Sequence, residues 1–423
     1  MTSGPLAPLR RPEVAKVWSA GVVSDVGTWV QLVIVGSLIA RTTGSALLTG
    51  LVAMATFTPQ GVFSPIGGML ADRFDRRRLF GFALAGQALA TTILAVLLAS
   101  HITNAYALTG VIFFQSSFGA FGAPAFQAMM PDLVPAVELQ AMVGLSIASW
   151  NSGRILGPIL GTLLERSIGA PGAIIANALT FAGMSIAIMA LRRAFPPTAR
   201  YGGETVKTQM LVGLRATRAT PGCWVAIQAM VTFNFIIAPF IALMPIFARR
   251  VLHGGTGLSG TLSSAQGVGA LSGALGLSLL IRRYDRYATI LGAISLMSVS
   301  YLIYAHSPSA LTAVLILPFL GFGATLVFAS MMALIQRDAP SDQRGRVMSM
   351  FQAITGSSYG VAILCFGRLS DVIGLRWSMT AAAVFGILAT IFAVIRYPHW
   401  RGIIDIPRSL DERPANWQLL PEF

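Results

Sequence analysis

The chain has 423 residues, of which 55% are hydrophobic and only 11% are charged, and its mean hydropathy is +0.71. Soluble globular proteins carry about 25% charged residues. This composition therefore excludes a water-soluble enzyme, a disordered chain and a secreted disulfide scaffold. The two cysteines, Cys223 and Cys365, both lie in apolar runs and predict neither a disulfide framework nor a metal-ligand cluster. The sequence predicts an integral membrane protein.

Twelve apolar stretches are long enough to cross a membrane, because about 20 residues span the hydrocarbon core. In chain order they cover residues 17–40, 46–70, 79–100, 106–128, 139–164, 171–191, 222–247, 258–281, 288–305, 309–333, 347–369 and 377–397. We predict an all-α membrane protein in which these twelve transmembrane helices form two six-helix repeats. The predicted units are a cytoplasmic segment (1–16), a first bundle (17–191), a polar linker (192–221), a second bundle (222–397) and a cytoplasmic tail (398–423).

The formal net charge of +14 is compatible with nucleic-acid binding, but the positions of the basic residues indicate membrane topology instead. With the N-terminus inside, 23 of the 30 lysines and arginines fall on the inner side and five on the outer side. Short cytoplasmic loops carry this excess of basic residues in membrane proteins. The sequence thus predicts cytoplasmic termini, contact with lipid and no nucleic-acid partner.

The two halves also resemble each other in sequence. RFDRRR at 73–78 follows the second span, and RRYDRY at 282–287 follows the eighth. PDLVPAVELQAM at 131–142 leads into the fifth span, and RDAPSDQRGRVM at 337–348 leads into the eleventh. Parallel repeats of this kind are typical of secondary transporters.

Sequence motifs for ATP use or catalysis are not found. Neither of the two lysines, Lys16 and Lys207, follows a glycine-rich loop, so no P-loop is predicted. The histidines are scattered, and no catalytic triad or metal-ligand pair is visible. We therefore expect no enzyme activity, no cofactor and no metal, and a gradient as the energy source.

The segment GGMLADRFDRRR at 67–78 resembles the signature loop of the major facilitator superfamily. Asp75 stands where that family usually has glycine. The resemblance implies a gate on the cytoplasmic side, in which Asp72, Arg73 and Arg76 latch the halves together near Arg344 and Arg346 at the start of the eleventh span. A positive-inside anchor without a gating role is the alternative interpretation. The residues that match the family pattern are Gly68, Asp72, Arg73, Arg76 and Arg77.

The fifth span carries a second family motif, GRILGPILGT at 153–162. Gly153, Gly157 and Gly161 recur every four residues and predict close packing against another helix. Together with Pro158 they resemble a motif of the superfamily's antiporters, with Thr162 in place of the final glycine. VGTWVQ in the first span and RGRVMSMFQ in the eleventh are similar to the branch that includes bacterial enterobactin exporters and drug efflux proteins.

Charged residues inside predicted spans are costly and are by default functional hypotheses, and two of them lie in the first half. Asp25 lies in the first span and Arg154 in the fifth, and we expect them to pair. Such a pair is predicted either to load and release a proton or to hold the two helices together. Other polar or aromatic residues are predicted to face a cavity or to satisfy one another between helices: Trp29, Gln115, Asn151, Gln228, Asn234, Gln266 and Tyr359.

These features predict a monomeric secondary transporter of the bacterial inner membrane. The resemblance favours proton-driven export of a small amphipathic compound such as a siderophore or drug. An importer or uniporter is one alternative, and a transport-inactive receptor or scaffold with the same fold is the other.

Overall fold

The computed structural model describes residues 6–193, 195, 206–283, 285–339, 344–396 and 400–404, and almost all of these are helical. Short 3-10 turns cover Ala7–Arg10 and Ala136–Glu138. The α-helices are α1 (Pro12–Thr43), α2 (Ala46–Arg73), α3 (Arg76–Ala99), α4 (Ala105–Leu133), α5 (Leu139–Met189), α6 (Val206–Ala219), α7 (Pro221–Arg250), α8 (Thr256–Arg283), α9 (Arg286–Ala305), α10 (Ala310–Asp338), α11 (Arg344–Ile373), α12 (Leu375–Arg396) and α13 (Trp400–Ile404).

Twelve membrane crossings are built from these helices. Within the described ranges, nine helices are both long and apolar enough to span a membrane, and α5 is one of them. Helix α5 contains two crossings, because Gly169 adopts φ 72° and ψ 168° and interrupts its helical geometry. Positive φ is readily adopted only by glycine, so Gly169 supplies the turn between the fifth and sixth spans. Helices α4 and α8, with 29 and 28 residues, are long enough to provide the remaining two.

The repeat seen in the sequence recurs in the helix contacts. In the first half α2 and α3 both pack on α4, and in the second half α8 and α9 both pack on α10. Helix α1 packs on α5 as α7 packs on α11. Asp75 and Asp285 occupy equivalent positions, since each accepts a hydrogen bond from a backbone N–H at the start of the following helix.

The turn at Asp75 does not require glycine. Asp75 has φ −58°, an ordinary value for any L-residue, and its side chain accepts from the Arg78 N–H at 2.9 Å. An aspartate at this position caps α3 and satisfies one of the N–H groups that a helix start leaves unpaired. The substitution in the family pattern is thus a helix cap.

The linker and the tail both contain helices that the polar sequence did not predict. Helix α6 in the linker packs against α7 and α11, and the backbone at Gly213 approaches the carbonyl of Arg346. Helix α13 follows the last span and packs on α7 and α9. The buried Ile403 and Ile404 anchor it, and their carbonyls accept from Arg337 at 2.7 and 2.8 Å.

The predicted topology gives the bundle two ends. We call "outer end" the end where α2 and α8 begin and where α11 and the first arm of α5 (139–168) finish. The opposite end, where α6 and α13 lie, is the inner end.

Candidate functional site

The two halves meet along α2 and α11, whose backbones touch near their midpoints. A Cβ added at Gly356 would lie 2.5 Å from the Gly61 Cα, so only glycine at both positions permits this crossing. Closer to the outer end, a Cβ at Gly367 would lie 3.1 Å from the Leu47 Cα. This seam between the halves therefore runs from the middle of the bundle to its outer end.

A single carboxylate caps the outer end of this seam. Asp371, near the end of α11, accepts from the Ser45 Oγ at 2.8 Å, the Ala46 N–H at 2.7 Å and the Leu47 N–H at 3.2 Å. These groups form the start of α2, where free N–H groups and the helix dipole favour a negative charge. Asp371 thus binds the second half to the first by a polar contact at the edge of the bundle.

A second contact between the halves joins α5 to α8. The Ser264 Oγ donates to the Ile155 carbonyl at 2.8 Å, and the Pro158 carbonyl lies against Gly260. Thr162, the residue that replaces the last glycine of the antiporter-like motif, also faces Gly260. Both contacts lie in the outer parts of α5 and α8, as those of the α2–α11 seam do.

The glycines of the fifth-span motif pack against α1, within the first half. Cβ atoms added at Gly153 and Gly157 would lie 2.7 Å from the Asp25 carbonyl carbon and 2.5 Å from the Trp29 Cβ. At Gly161 the nearest atom, the Val30 Cα, would be 3.3 Å away. The motif fixes the distance between α1 and α5, and so positions the side chains beside it.

Four aromatic rings and one guanidinium gather in the middle of the bundle, where α1, α2, α5 and α11 meet. The Trp29 ring lies 5.6 Å from Trp150 and 6.1 Å from Phe57, and Phe57 lies 5.3 Å from Tyr359. The Arg154 guanidinium carbon lies 5.7 Å from the Trp29 ring centroid, in cation–π range. We call Trp29, Phe57, Trp150, Arg154 and Tyr359 the central cluster.

Both halves contribute to this cluster. Tyr359 comes from α11 of the second half, and its ring packs edge-on against Phe57 of α2 in the first half. Gln266 of α8 and Trp29 line one small cavity of about 20 Å³ next to the cluster. A cavity of that size holds about one water molecule.

The expected ion pair between Asp25 and Arg154 is not found among the described residues. The Asp25 carboxylate instead accepts from the Ser149 Oγ at 2.5 Å. Gly153 packs against the Asp25 backbone, and Arg154, the next residue on α5, points about 100° away around the helix, since a turn has 3.6 residues. The carboxylate and the guanidinium are therefore separate features of the site.

Of the other predicted cavity residues, three make ordinary structural hydrogen bonds. Gln115 accepts from the Gln31 Nε2 at 2.6 Å, in a network that continues to Asn177. Asn151 donates to the Ile147 carbonyl in its own helix at 2.9 Å. Asn234 donates to the Thr355 carbonyl and the Ser358 Oγ of α11.

Gln228 lines a different cavity, away from the central cluster. This cavity of about 200 Å³ lies in the second half, between α7, α9, α10 and α12, with Trp400 and Ile404 of α13 in its wall. Gln228 thus does face a cavity, but one that lies within a single half.

The residues of the signature loop lie at the inner end of α2 and the start of α3. Arg76 is buried, donates to the Ala128 carbonyl at 3.3 Å and lies 3.5 Å from Asp132 of α4. Both contacts join Arg76 to its own half. They are consistent with an anchor, and the latch role of this loop stays a prediction.

The remaining loop residues differ in exposure. Arg77 donates to the Leu191 carbonyl, again in the first half, whereas Arg73 is exposed. Asp72 is half-buried in the last turn of α2, and a Cβ at Gly68 would meet nothing within 4 Å. Arg346 lies in the first turn of α11, and the side chain of Arg344 lies outside the described part of the structure.

The family profile described as transmembrane secretion effector matches residues 3–415, nearly the whole chain. The chain belongs to this family, which is part of the major facilitator superfamily. It is a multi-span membrane transporter.

Macrolide efflux protein A of Streptococcus pyogenes is 23% identical over 90% of this chain and 95% of its own length. The multidrug efflux pump Tap of Mycolicibacterium fortuitum is 25% identical over 91% of this chain and 96% of its own.

Solved structures show the same fold. A mutant of the nucleoside transporter NupG superposes with a TM-score of 0.74 at 13% identity, over 90% of this chain and 99% of that one. A bacterial homologue of the human lysosomal transporter Spinster, in an inward-facing and unoccupied conformation, superposes with a TM-score of 0.72 at 14% identity. That match covers 93% of this chain and 98% of the other.

Sequence reasoning missed three residues of this transporter's centre and seam. Phe57 and Trp150 complete the central cluster, but aromatic residues are common in apolar spans and no local pattern marks these two. Asp371 lies in the last turn of α11, where an acidic residue resembles any other loop-facing charge. Its target, the start of α2, is more than 300 residues away in sequence, so no local pattern connects the two.

Proposed function

We propose that this transporter exports a small amphipathic organic compound in exchange for protons, by alternating access to the central cluster. The observation that carries the proposal is the position of the cluster, where both halves contribute side chains at the end of the outer seams. Alternating access requires a site that either half can uncover. Export is favoured by the efflux relatives and by the antiporter-like glycines on α5.

The direction in which the site opens follows from the predicted topology. With cytoplasmic termini, the end closed by Gly61, Gly356 and Asp371 is external. In this conformation the external end is then closed. Parting of the seam would open the site to the outside, and the predicted role of Asp72 is to hold the inner end closed in that state.

Asp25 is the proposed proton carrier. It is a half-buried carboxylate in the membrane-spanning part of α1, and its hydrogen-bond partner among the described residues is the neutral Ser149 hydroxyl. A carboxylate without a paired cation gains or loses charge as its hydration changes. Opening and closing of the neighbouring central cluster would change that hydration, which couples protonation to the transport cycle.

The predicted organisation completes the proposal. We assign two six-helix bundles over 17–191 and 222–397, the linker and tail on the cytoplasmic side, and a monomer in the bacterial inner membrane. The linker and tail are described only at 192–193, 195, 206–221 and 400–404.

The first experiment compares metabolites inside and outside cells with and without the gene, because no compound is preselected. The compound found is then loaded with purified protein into proteoliposomes, and its uphill movement is followed under an imposed pH gradient. We expect Asp25→Asn to lower the rate of uphill movement at least 50-fold, while downhill exchange of the compound continues. Glu165→Gln, which alters a carboxylate near the outer end of the same helix as Ser149, is the matched control.

Three outcomes would contradict the proposal. Uphill movement that survives both an uncoupler and Asp25→Asn would eliminate proton coupling. A medium component left unconsumed by cells without the gene would reverse the direction to import. Normal metabolites in both compartments, with no transport by the purified protein, would favour a receptor or scaffold.

A further inference from the structure

The middle of the bundle holds buried polar groups that have no hydrogen-bond partner among the described residues. The Trp29 Nε1, the Arg154 Nε, the Gln266 Nε2 and the Tyr359 hydroxyl are all buried without a hydrogen bond. Trp29, Gln266 and Tyr359 are only 4%, 2% and 8% exposed. Buried polar groups are nearly always hydrogen-bonded, so an unpartnered set of this kind calls for an explanation.

These groups lie around one place. Trp29 and Gln266 line the same small cavity, and Arg154 lies over the Trp29 ring. Tyr359 packs on Phe57, which in turn packs on Trp29. They come from α1, α5, α8 and α11, and so from both halves. A ligand that satisfied them together would bind at the boundary that opens and closes.

The groups share a chemical character, because all four have an N–H or O–H to donate. An indole N–H and a guanidinium N–H donate only, and the guanidinium keeps its positive charge. Among the described carboxylates, Asp25 is the closest in sequence to Trp29, and it already accepts a hydrogen bond from Ser149. A positively charged ligand would therefore meet a fixed like charge, whereas an anion would meet donors and a counter-charge.

The surroundings of the donors are aromatic. Trp150 is 40% exposed and packs edge-on against Trp29, and Phe57 completes the wall between Trp29 and Tyr359. Aromatic walls favour flat apolar ligands through offset and edge-to-face contacts. The small cavity beside Trp29 is too small for a ring, so the ring would lie against these aromatic walls.

We propose that the central cluster selects aromatic organic anions, with a carboxylate or phenolate bound by Arg154 and the ring packed on the tryptophans. This inference rests on the proposed function, since it names the substrate class of the same site. It predicts that the site binds anionic aromatic compounds more tightly than neutral analogues, and neutral analogues more tightly than cationic ones.

The test measures binding by the full-length protein in lipid nanodiscs, by equilibrium dialysis of three probes with one ring system. The probes are 2-naphthoate, 2-naphthamide and 2-naphthylmethylammonium. We expect 2-naphthoate to bind at least 10-fold tighter than the amide and at least 30-fold tighter than the cation. Arg154→Gln should remove this preference by weakening 2-naphthoate alone, and Arg154→Lys should restore part of it.

Controls separate recognition from folding. Arg166→Gln, which alters an exposed arginine about three turns further along α5, should leave all three affinities unchanged. If Arg154→Gln does not fold, Tyr359→Phe removes a single hydroxyl and keeps the ring, and we expect it to weaken 2-naphthoate at least three-fold. Equal affinity for all three probes, tighter binding of the cation, or unchanged affinities in both variants would overturn the inference.

Binding and transport fail separately. If 2-naphthoate binds with the expected preference but proteoliposomes never move it against a gradient, the export proposal fails and the assignment of the site stands. If a pH gradient drives uphill export of a cation while 2-naphthoate does not bind, the export proposal stands and the anion inference fails.

Discussion

Two seams in this transporter use glycine for close helix contact, yet they differ in what surrounds the glycines. The α1–α5 seam lies inside the first half, where Gly153, Gly157 and Gly161 face the α1 backbone from Asp25 to Val30. The α2–α11 seam lies between the halves, where Gly61 faces Gly356 and Asp371 caps the start of α2. The α1–α5 seam is continuous over about two turns, whereas the α2–α11 seam ends in a polar contact at the membrane edge.

The difference separates a permanent contact from one that alternating access must break. Glycine-to-backbone packing is made of many short-range contacts, and these are lost together when two helices part. A carboxylate at a helix start contributes only about 0.3–1 kcal/mol near the surface, and water can replace it. The α2–α11 seam, which the proposed function requires to open in every cycle, combines its glycine crossing with one weak contact of this second kind at its outer end.

The largest expected effect comes from filling the α1–α5 seam. In Gly157→Ala the new Cβ would lie 2.5 Å from the Trp29 Cβ and 2.9 Å from the Val26 carbonyl oxygen. Overpacking of this kind costs about 1–3 kcal/mol. We expect a clear fall in the thermal unfolding temperature of the purified protein, together with loss of transport.

Gly144→Ala is the matched control, because a Cβ there meets nothing within 4 Å in the same arm of α5. That variant should unfold at the wild-type temperature. Equal unfolding temperatures for the Gly144 and Gly157 variants would contradict the close packing described for this seam.

At the α2–α11 seam we expect a smaller effect on unfolding stability and a larger one on how often the outer end is closed. In Gly356→Ala the new Cβ would lie 2.5 Å from the Gly61 Cα, but only while the outer end is closed. The change should therefore disfavour that state and leave each half folded. We expect crosslinking between cysteines placed by Leu47→Cys and Gly367→Cys, in a background without Cys223 and Cys365, to fall several-fold.

Gly292→Ala, in α9, is the control for this measurement, since its Cβ would meet nothing within 4 Å. A crosslinking yield that is unchanged in Gly356→Ala, with Gly292→Ala also unchanged, would show that the halves do not close through this glycine pair.

The sequence predicted the spans well, because hydropathy depends on composition and span length and not on how helices pack. The break between the fifth and sixth spans falls at Gly169, between the predicted boundaries at 164 and 171. The repeat was likewise visible, since Asp75 and Asp285 both cap the third helix of their half. Such local features survive in a single sequence.

What the sequence could not predict is the rotation of one helix against another. Placing Asp25 and Arg154 in helices of one half was not enough to pair them, because α5 turns its glycines toward the α1 backbone and Arg154 toward the Trp29 ring. The same limit hid Asp371, whose partners at the start of α2 are known only once α2 and α11 are packed. Helix α6 was missed because a short amphipathic helix in a polar linker has little hydropathy signal.

The smallest expected effect concerns the cap itself. Asp371→Asn keeps the shape of the side chain but removes the negative charge and leaves one oxygen to serve three donors, from Ser45, Ala46 and Leu47. We expect a loss of about 0.3–1 kcal/mol from the closed state, which lowers the same crosslinking yield by no more than about five-fold.

Asp75→Asn alters a helix cap within one half, so it should lower stability slightly and leave crosslinking unchanged. High salt should reduce the difference between wild type and Asp371→Asn, because ions screen the charge–dipole attraction. If Asp371→Asn instead unfolds the protein as Gly157→Ala is expected to, the cap belongs to the permanent framework and the contrast between the two seams does not hold.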